Sequence, residues 1–164
     1  MSTMELPPDA FDALSVGQDA SMSRTVTETD VVLFAMCTGD MNPVHLSEAH
    51  AARTQFGGRI AHGMLTAGFV SATMASRLPG PGAVYLTQSL RFVRPVRIGD
   101  VITTRVEVLA LETTKRQVRL ATTCRNQAGK LVLDGEATVL VPRTRNADAT
   151  SVTNASLQTR GDRR

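Results

Sequence analysis

The order of hydrophobic and polar positions along the chain predicts an antiparallel sheet packed around one helix. Residues 63–78 are apolar or small on every side over four helical turns, so we expect a helix that is buried all round. One strand is predicted before it, and four strand-like runs with short turns follow it: residues 18–26, 83–96, 100–111, 115–125 and 130–141. Because consecutive strands joined by short turns pair antiparallel, the pattern indicates an α+β domain whose sheet wraps around the central helix.

Two shorter helices are predicted between the first strand and the central helix. Thr27 or Thr29 can cap the first of them, and Gly39 ends it. Ser47 can cap the second, over residues 48–55. The apolar side chains of the first helix that we expect to face mostly inward are Val31, Val32, Phe34, Ala35 and Cys37.

Both ends of the chain differ in composition from the middle. Pro7 and Pro8 prevent regular structure near the start, so residues 1–16 are expected to form a flexible lead-in. Residues 143–164 are rich in Thr, Asn, Ser, Ala and Arg and have too little apolar bulk to offset the entropy of ordering. We therefore predict one folded domain, residues 17–142, followed by a disordered, Arg-containing tail.

The net charge of +3 belongs entirely to that tail, which carries five arginines against two aspartates. The rest of the chain is neutral, and it holds no Trp and one Tyr, so a nucleic-acid partner is not indicated. Residues 60–76 form the longest run without a charged residue, which is too short and too polar to predict a membrane span. Two widely spaced cysteines and an N-terminus unlike a signal peptide favour a cytoplasmic protein.

One turn carries the residue types that acid–base chemistry needs. Asp40 and His45 stand at the two ends of a Pro-containing turn, close enough in sequence to meet over one water molecule. A carboxylate accepts a proton, and an imidazole can hold or deliver one near neutral pH. Asn42 can orient one of the pair, and Pro43 stiffens the turn. In isolation, however, Asp after a helix-ending glycine is also ordinary turn chemistry.

Gly63 stands at the first turn of the central helix. Backbone N–H groups there have no partner within the helix and carry a partial positive charge. A glycine allows a ligand carbonyl to approach them closely, and such a site can stabilise an oxyanion. Together with Asp40 and His45, this arrangement indicates proton chemistry next to a carbonyl group.

Three stretches, GDMNPVHLS, AHGMLTAGF and YLTQSLRFVRPVRIGD, resemble the MaoC-like, R-specific enoyl-CoA hydratase family over residues 17–142. The resemblance implies a hot-dog fold, a homodimer with active sites near the subunit interface, and no metal or redox cofactor. It also implies an acyl-CoA substrate: reversible hydration of a trans-2-enoyl-CoA to an (R)-3-hydroxyacyl-CoA. Members that act on short chains feed polyhydroxyalkanoate synthesis.

The resemblance also implies roles for individual residues. Asp40 and His45 would position a water, take its proton for attack at C3 and protonate C2, while the N–H of Gly63 would hold the thioester oxygen. Asn42 belongs to the same motif. Ser71 matches a serine of the family's central helix that lies near the site.

Other polar residues have two interpretations each. Arg91, Arg94 and Arg97 can meet the phosphates of CoA, or they can protect a strand edge from aggregation. His62 is predicted to be structural, and His50 to face solvent. No HxxxH or HxH spacing occurs, so no metal site is expected.

Two alternatives to a hydratase follow from the same fold. One is an acyl-CoA thioesterase, whose water would attack the thioester carbon instead of C3. The other is a non-catalytic acyl-CoA-binding subunit, which has no need of the Asp40–His45 pair. The sequence leaves open the acyl-chain length and whether CoA or a carrier protein bears the acyl group.

Overall fold

The computed structural model describes residues 9–143, which form an antiparallel sheet with a long helix against it. The strands are β1 (Asp19–Thr25), β2 (Val84–Gln88), β3 (Arg91–Phe92), β4 (Val101–Glu112), β5 (Gln117–Arg125) and β6 (Leu131–Leu140). The helices are α1 (Glu28–Thr38), α2 (Pro43–Leu46), α3 (Glu48–Ala51) and α4 (Gly63–Ser76). The sheet order is β1-β4-β5-β6-β2, and β3 also pairs with β6. The predicted α+β, hot-dog arrangement is confirmed.

The core lies between α4 and the sheet. Along β5 buried and more exposed side chains alternate, with Val118, Leu120, Thr122 and Cys124 buried, as the sequence pattern predicted. Phe69, Val70 and Met74 of α4 belong to the same buried cluster as Leu120. None of the helices within residues 9–143 is long and apolar enough to cross a membrane.

The prediction that the central helix is buried all round is wrong for the chain by itself. The buried side chains of α4 are Thr66, Phe69, Val70, Thr73 and Met74, which recur every three or four residues on one side. On the other side Met64 is 55% exposed and Ser71 is also exposed. The sheet covers one side of a helix, and no other element in the described range covers the second.

The same correction holds for α1. Val31 and Ala35 are buried and Phe34 is half-buried, but Val32 and Cys37 are exposed. The ends of this helix were predicted well. Thr27 forms a capping box with Asp30, and Gly39 ends the helix in the left-handed region at φ 78°.

In the region of the second predicted helix the structure has two short helices. Ser47 caps α3 by accepting a hydrogen bond from the His50 N–H, as expected, but α3 ends at Ala51. The additional helix α2 precedes it, with Pro43 at its first position and Asn42 as its cap. Proline suits this position because its missing N–H would have no helical partner.

The predicted strand 83–96 is split into β2 and β3. The chain leaves β2 at Ser89, whose N–H donates to the Glu136 carbonyl oxygen at 2.9 Å. Here the backbone of Ser89 presses against Gly135: an ideal Cβ on that glycine would lie 1.8 Å from the Ser89 carbonyl oxygen. Position 135 of β6 therefore requires a glycine, because the Ser89 backbone at the end of β2 lies too close for a side chain.

Residues 9–16 differ from the predicted flexible lead-in, because Phe11 is 4% exposed and belongs to the core. The Arg116 guanidinium lies 5.0 Å from the centroid of the Phe11 ring and also pairs with Asp9. These contacts tie the segment to the turn between β4 and β5. Residues 1–8 of the lead-in and the predicted tail from 144 onward lie outside the described residues.

We expect Gly135→Ala to lower the free energy of unfolding by about 3 kcal/mol, because the new methyl group must push two backbone segments apart. For a chain of this length that corresponds to a melting temperature lower by roughly 6–12 °C, measurable by differential scanning calorimetry. Gly68→Ala is the matched control, since a Cβ there meets nothing within 4 Å. A Gly135→Ala protein that melts with the wild type would contradict this account of the strand break.

Candidate active site

A cavity of about 500 Å³ opens beside the first turn of α4. Its wall is mostly apolar and includes Phe92, Val132 and Leu133. Asp40, His45 and His62 supply polar groups to the same wall. An apolar cavity with a few convergent polar groups is the usual form of a small-molecule site.

The turn that carries Asp40 is held by Asn42. The Asn42 N–H donates to Asp40 Oδ1 at 3.3 Å, and the Asn42 side-chain oxygen accepts from the Val44 N–H at 3.2 Å. Asn42 therefore links the carboxylate to the start of α2, although it does not line the cavity itself. Asp40 directly follows the left-handed Gly39, so the end of α1 sets where its carboxylate lies.

His45, on α2, is 9% exposed and faces the cavity. Its Nδ1 lies 2.8 Å from the Ile60 carbonyl oxygen. A carbonyl oxygen can only accept, so Nδ1 carries the proton of that hydrogen bond and the neutral ring keeps a free lone pair at Nε2. Burial lowers the pKa of His45, and this outweighs the opposing effects of the Ile60 hydrogen bond and the Asp40 charge. A neutral imidazole at pH 7 suits a proton acceptor.

The position of α2 relative to α1 depends on Arg59. Its Nε donates to the His45 carbonyl oxygen at 2.6 Å, and its guanidinium pairs with Glu28 of α1 at 2.8 Å. Arg59 thus connects the helix that carries His45 to the helix that leads into Asp40. Asp40 and His45 are therefore both held by residues that do not line the cavity, Asn42 and Arg59.

His62 is buried behind this pair, at 1% exposed. Its Nε2 lies 3.0 Å from the Asp40 carbonyl oxygen, and its ring centroid lies 3.9 Å from that of His45. This contact is consistent with the predicted structural role. His50, by contrast, is exposed on α3, as expected.

Asp40, His45 and His62 together have the composition of a metal site. Each presents one ligand atom, and these atoms lie within 4.8 Å of one another. Two histidines and a carboxylate are ligands that Zn²⁺ takes. This cluster has no sequence signature such as HxxxH or HxH, because the fold brings its residues together from two separate segments. One nitrogen of each ring is already bonded to a backbone carbonyl, and the absence of a metal stays a prediction.

The first turn of α4 forms part of the cavity wall through Gly63 and Met64. The first bonds of the helix run from the Leu65 and Thr66 N–H groups to the His62 carbonyl oxygen. Within residues 9–143 no protein acceptor meets the N–H of Gly63. A Cβ on Gly63 would lie 2.9 Å from Phe92 Cε1, so the glycine lets the aromatic ring close against the helix start.

The three arginines of the sequence prediction separate in the structure. Arg94 lines the cavity, and its Nη1 donates to the Leu131 carbonyl oxygen at 2.7 Å. Arg91 lies in another groove, where it pairs with Asp134 at 2.6 Å. Arg97 donates to the Phe56 carbonyl oxygen at 2.5 Å and is not part of the cavity wall. Ser71 is exposed on α4, and the structure does not bring it to the cavity.

Sequence reasoning missed most of the apolar wall. Phe92 and Thr66 line the cavity, and neither was singled out. Thr66 follows His62 by four residues, which puts both on one side of the helix start. The visible sequence feature around Phe92 is the pair of arginines that flank it, Arg91 and Arg94. That feature does not indicate that the Phe92 ring lines the cavity.

Comparisons with known proteins identify the family of the chain. A model of the MaoC-like domain family matches residues 13–129. A 3-hydroxybutyryl-CoA dehydratase from Methylorubrum extorquens is 53% identical over 138 residues, covering 84% of this chain and 87% of that protein. An (R)-specific enoyl-CoA hydratase from Rhodospirillum rubrum is 51% identical, covering 87% and 98%. The solved structure of the R-hydratase PhaJ1 from Pseudomonas aeruginosa superposes with a TM-score of 0.77 at 47% identity, covering 87% and 94%. The chain therefore belongs to the MaoC-like family.

We expect the His45 side chain to titrate below its ordinary pKa of 6.5, because burial penalises the imidazolium. A pH series of NMR spectra that follows the Cε1 proton of His45 measures this directly. Substituting His45 with Gln assigns the resonance. A titration midpoint at or above 6.5 would show that Asp40 dominates over burial.

Proposed function

We propose that this protein catalyses the reversible hydration of a trans-2-enoyl-CoA to an (R)-3-hydroxyacyl-CoA. The observation that carries the proposal is the meeting of the Asp40 carboxylate and the His45 ring on one wall of an apolar cavity, beside Gly63 at the start of α4. Relatives at 51–53% identity bear the names of an (R)-specific enoyl-CoA hydratase and a 3-hydroxybutyryl-CoA dehydratase, and these names describe the two directions of such a reaction.

The first step adds water to C3. A water held between the Asp40 carboxylate and His45 Nε2 gives its proton to Nε2 as its oxygen forms a bond to C3. The free lone pair at Nε2 and the lowered pKa of His45 support its role as acceptor. Asp40 accepts a hydrogen bond from the second O–H of the water, which stays on the oxygen as the hydroxyl of the product, and so fixes the direction of attack.

The second step returns the proton to carbon. As the C3–O bond forms, the electron pair of the double bond moves toward the thioester, and negative charge develops on its oxygen. The N–H of Gly63 donates to that oxygen, aided by the positive end of α4. The enolate then takes the proton from His45 at C2, so one water has been added and both groups of the pair are restored.

Substrate binding divides between an apolar part and a charged part. Phe92, Val132 and Leu133 fit an acyl chain, which is apolar. Arg94 is the cavity-lining arginine of the predicted cluster and is the contact we assign to a CoA phosphate. All three arginines have a partner in the described chain, including Arg94, whose Nη1 donates to the Leu131 carbonyl oxygen. Arg94 is preferred because it is the one of the three that lines the cavity.

The enzyme is proposed to act as a homodimer in the cytoplasm. Strand β2 lies at a sheet edge, and within the described chain its outer edge pairs with no strand. Val84 and Leu86 on this strand are 50% and 46% exposed. An apolar free edge favours association, and a second copy of β2 across a two-fold axis would continue the sheet. Cys37 and Cys124 are both free, which suits a reducing compartment.

We expect the wild-type protein to lower the enoyl absorbance of crotonyl-CoA without releasing a free thiol. The physical reason is that the paired groups activate water for addition to the double bond. Absorbance at the enoyl band and a thiol reagent, followed in parallel, separate the three candidate functions. Thiol release with an intact enoyl band would indicate the thioesterase, and no change with any enoyl-CoA chain length would indicate a binding subunit.

Asp40→Asn and His45→Gln are each expected to lower kcat by about 10²-fold or more, since each removes one partner of the proton transfers. The melting temperature should stay near that of the wild type, because Asn and Gln keep the size of the side chains. His50→Gln is the matched surface control. A fully active Asp40→Asn enzyme would rule out the proposed mechanism.

Light scattering coupled to size exclusion should give twice the mass of one chain. We expect Leu86→Lys to shift the protein toward the monomer, because it puts a charge into the proposed strand pair. Val16→Lys is the control, as Val16 is 64% exposed and outside the sheet. A wild-type monomer, or a dimer unaffected by Leu86→Lys, would contradict pairing through β2.

A further inference from the structure

We infer that His62 is a positioning residue, whose Nε2–H holds the backbone of Asp40 while its ring supports the ring of His45. The inference rests on the proposed function for the reaction that this positioning serves. It is carried by three observations: the unused capping position of His62, its hydrogen bond to Asp40, and its packing against His45.

His62 occupies a helix cap without capping the helix. Thr27, Asn42 and Ser47 each accept a backbone N–H of the helix that they begin. His62 is the N-cap of α4 and makes no such bond. A histidine is not favoured at this position, where Ser, Thr, Asp and Asn satisfy the free amides. Its side chain is therefore directed to something other than the helix start.

The side chain reaches the turn that carries Asp40. His62 Nε2 lies 3.0 Å from the Asp40 carbonyl oxygen. Because that oxygen can only accept, Nε2 must carry the hydrogen. The bond joins α4, which is fixed by the core, to an exposed turn whose local bonds are short-range ones such as Met41 N–H to the Gly39 carbonyl oxygen. This hydrogen bond thereby fixes the Asp40 backbone relative to the helix that begins at Gly63.

The ring of His62 also forms one wall of the His45 environment. It lies between Phe34, at a centroid distance of 4.8 Å, and His45, at 3.9 Å. The charged and titratable groups around His45 are Asp40 on the preceding turn, His62 at the start of α4, Arg59 at its own backbone and Arg94 in the cavity wall. A smaller residue at position 62 would admit water to this side of His45.

Neither nitrogen of His62 is placed to exchange a proton with substrate. Nε2 is bonded to a backbone oxygen, and Nδ1 is buried without a hydrogen-bond partner among the described residues. A group in this state orients its neighbours and does not act as the acid or the base. Its effect on the reaction must pass through Asp40 and His45.

Two amide substitutions separate the hydrogen bond from the ring. Gln places its side-chain nitrogen near the position of histidine Nε2, and Asn places its nitrogen near that of Nδ1. His62→Gln can therefore donate to the Asp40 carbonyl oxygen, and His62→Asn cannot reach it. Both remove the ring, and His50→Gln and His50→Asn on the exposed face of α3 are the matched controls.

With a hydratable enoyl-CoA, we expect His62→Gln to keep kcat within about threefold of the wild type and His62→Asn to lose about 10²-fold, with little change in KM. The NMR titration of His45 should move to higher pH in both variants, because the ring that helps to desolvate His45 is gone. A general loss of folding would lower the melting temperature and the active fraction, but it would not make the kcat of His62→Gln differ from that of His62→Asn.

Equal kcat losses in the two variants at equal melting temperatures would overturn the hydrogen-bond claim, and an unchanged His45 titration would overturn the packing claim. If His62→Asn does not fold, the hydrogen exchange of the Met41 amide in a folded His62→Gln decides the hydrogen bond, and exchange faster than in the wild type would reject it. A wild-type protein that hydrates no enoyl-CoA would instead reject the proposed function. In that case two measurements still decide the positioning role: the His45 titration and the hydrogen exchange of the Met41 amide. We expect this exchange to be faster in His62→Asn and unchanged in His62→Gln.

Discussion

The packing of one side of α4 against the sheet is the contact on which the rest of the structure depends. Phe69, Val70 and Met74 enter the core from this helix, and each contributes about 1.5–3 kcal/mol relative to an exposed side chain. Together they amount to about the net stability of a whole domain, which is roughly 5–15 kcal/mol. Their burial fixes the direction of α4 and therefore the place of its first turn. That turn supplies Gly63 to the cavity and His62 to the turn behind it.

The candidate site combines this fixed helix with a less protected turn. Asp40 is exposed and follows the end of α1, so its position depends on contacts made by its neighbours. Asn42 holds it from the α2 side, Arg59 ties α2 to α1, and His62 connects it to α4. The proposed acid–base pair is thus held by hydrogen bonds from Asn42, Arg59 and His62. The cavity wall itself can remain apolar and receive an acyl chain.

The sequence predicted the features that depend on neighbours along the chain. The apolar run of α4, the alternation in β5 and the short Asp40–His45 turn are all local patterns. It could not predict features that need two distant segments, such as the Ser89 backbone pressing on Gly135 or the ring of His62 against His45. Phe11 was missed because a single aromatic in a polar segment does not show where it packs. Ser71 and Arg91 belong to recognisable motifs, but a motif does not state which way a side chain faces.

We propose that one Asp–His pair, on one wall of the cavity, both adds the hydroxyl at C3 and supplies the proton at C2. The most direct measurement is NMR of the product formed from crotonyl-CoA in heavy water. We expect (R)-3-hydroxybutyryl-CoA with one deuterium at C2, added from the same face as the hydroxyl, because both come from the same wall. Addition from opposite faces would place the proton donor on another wall of the cavity, and an (S) product would mean that the hydroxyl reaches the other face of C3. Either result would rule out the proposed reaction.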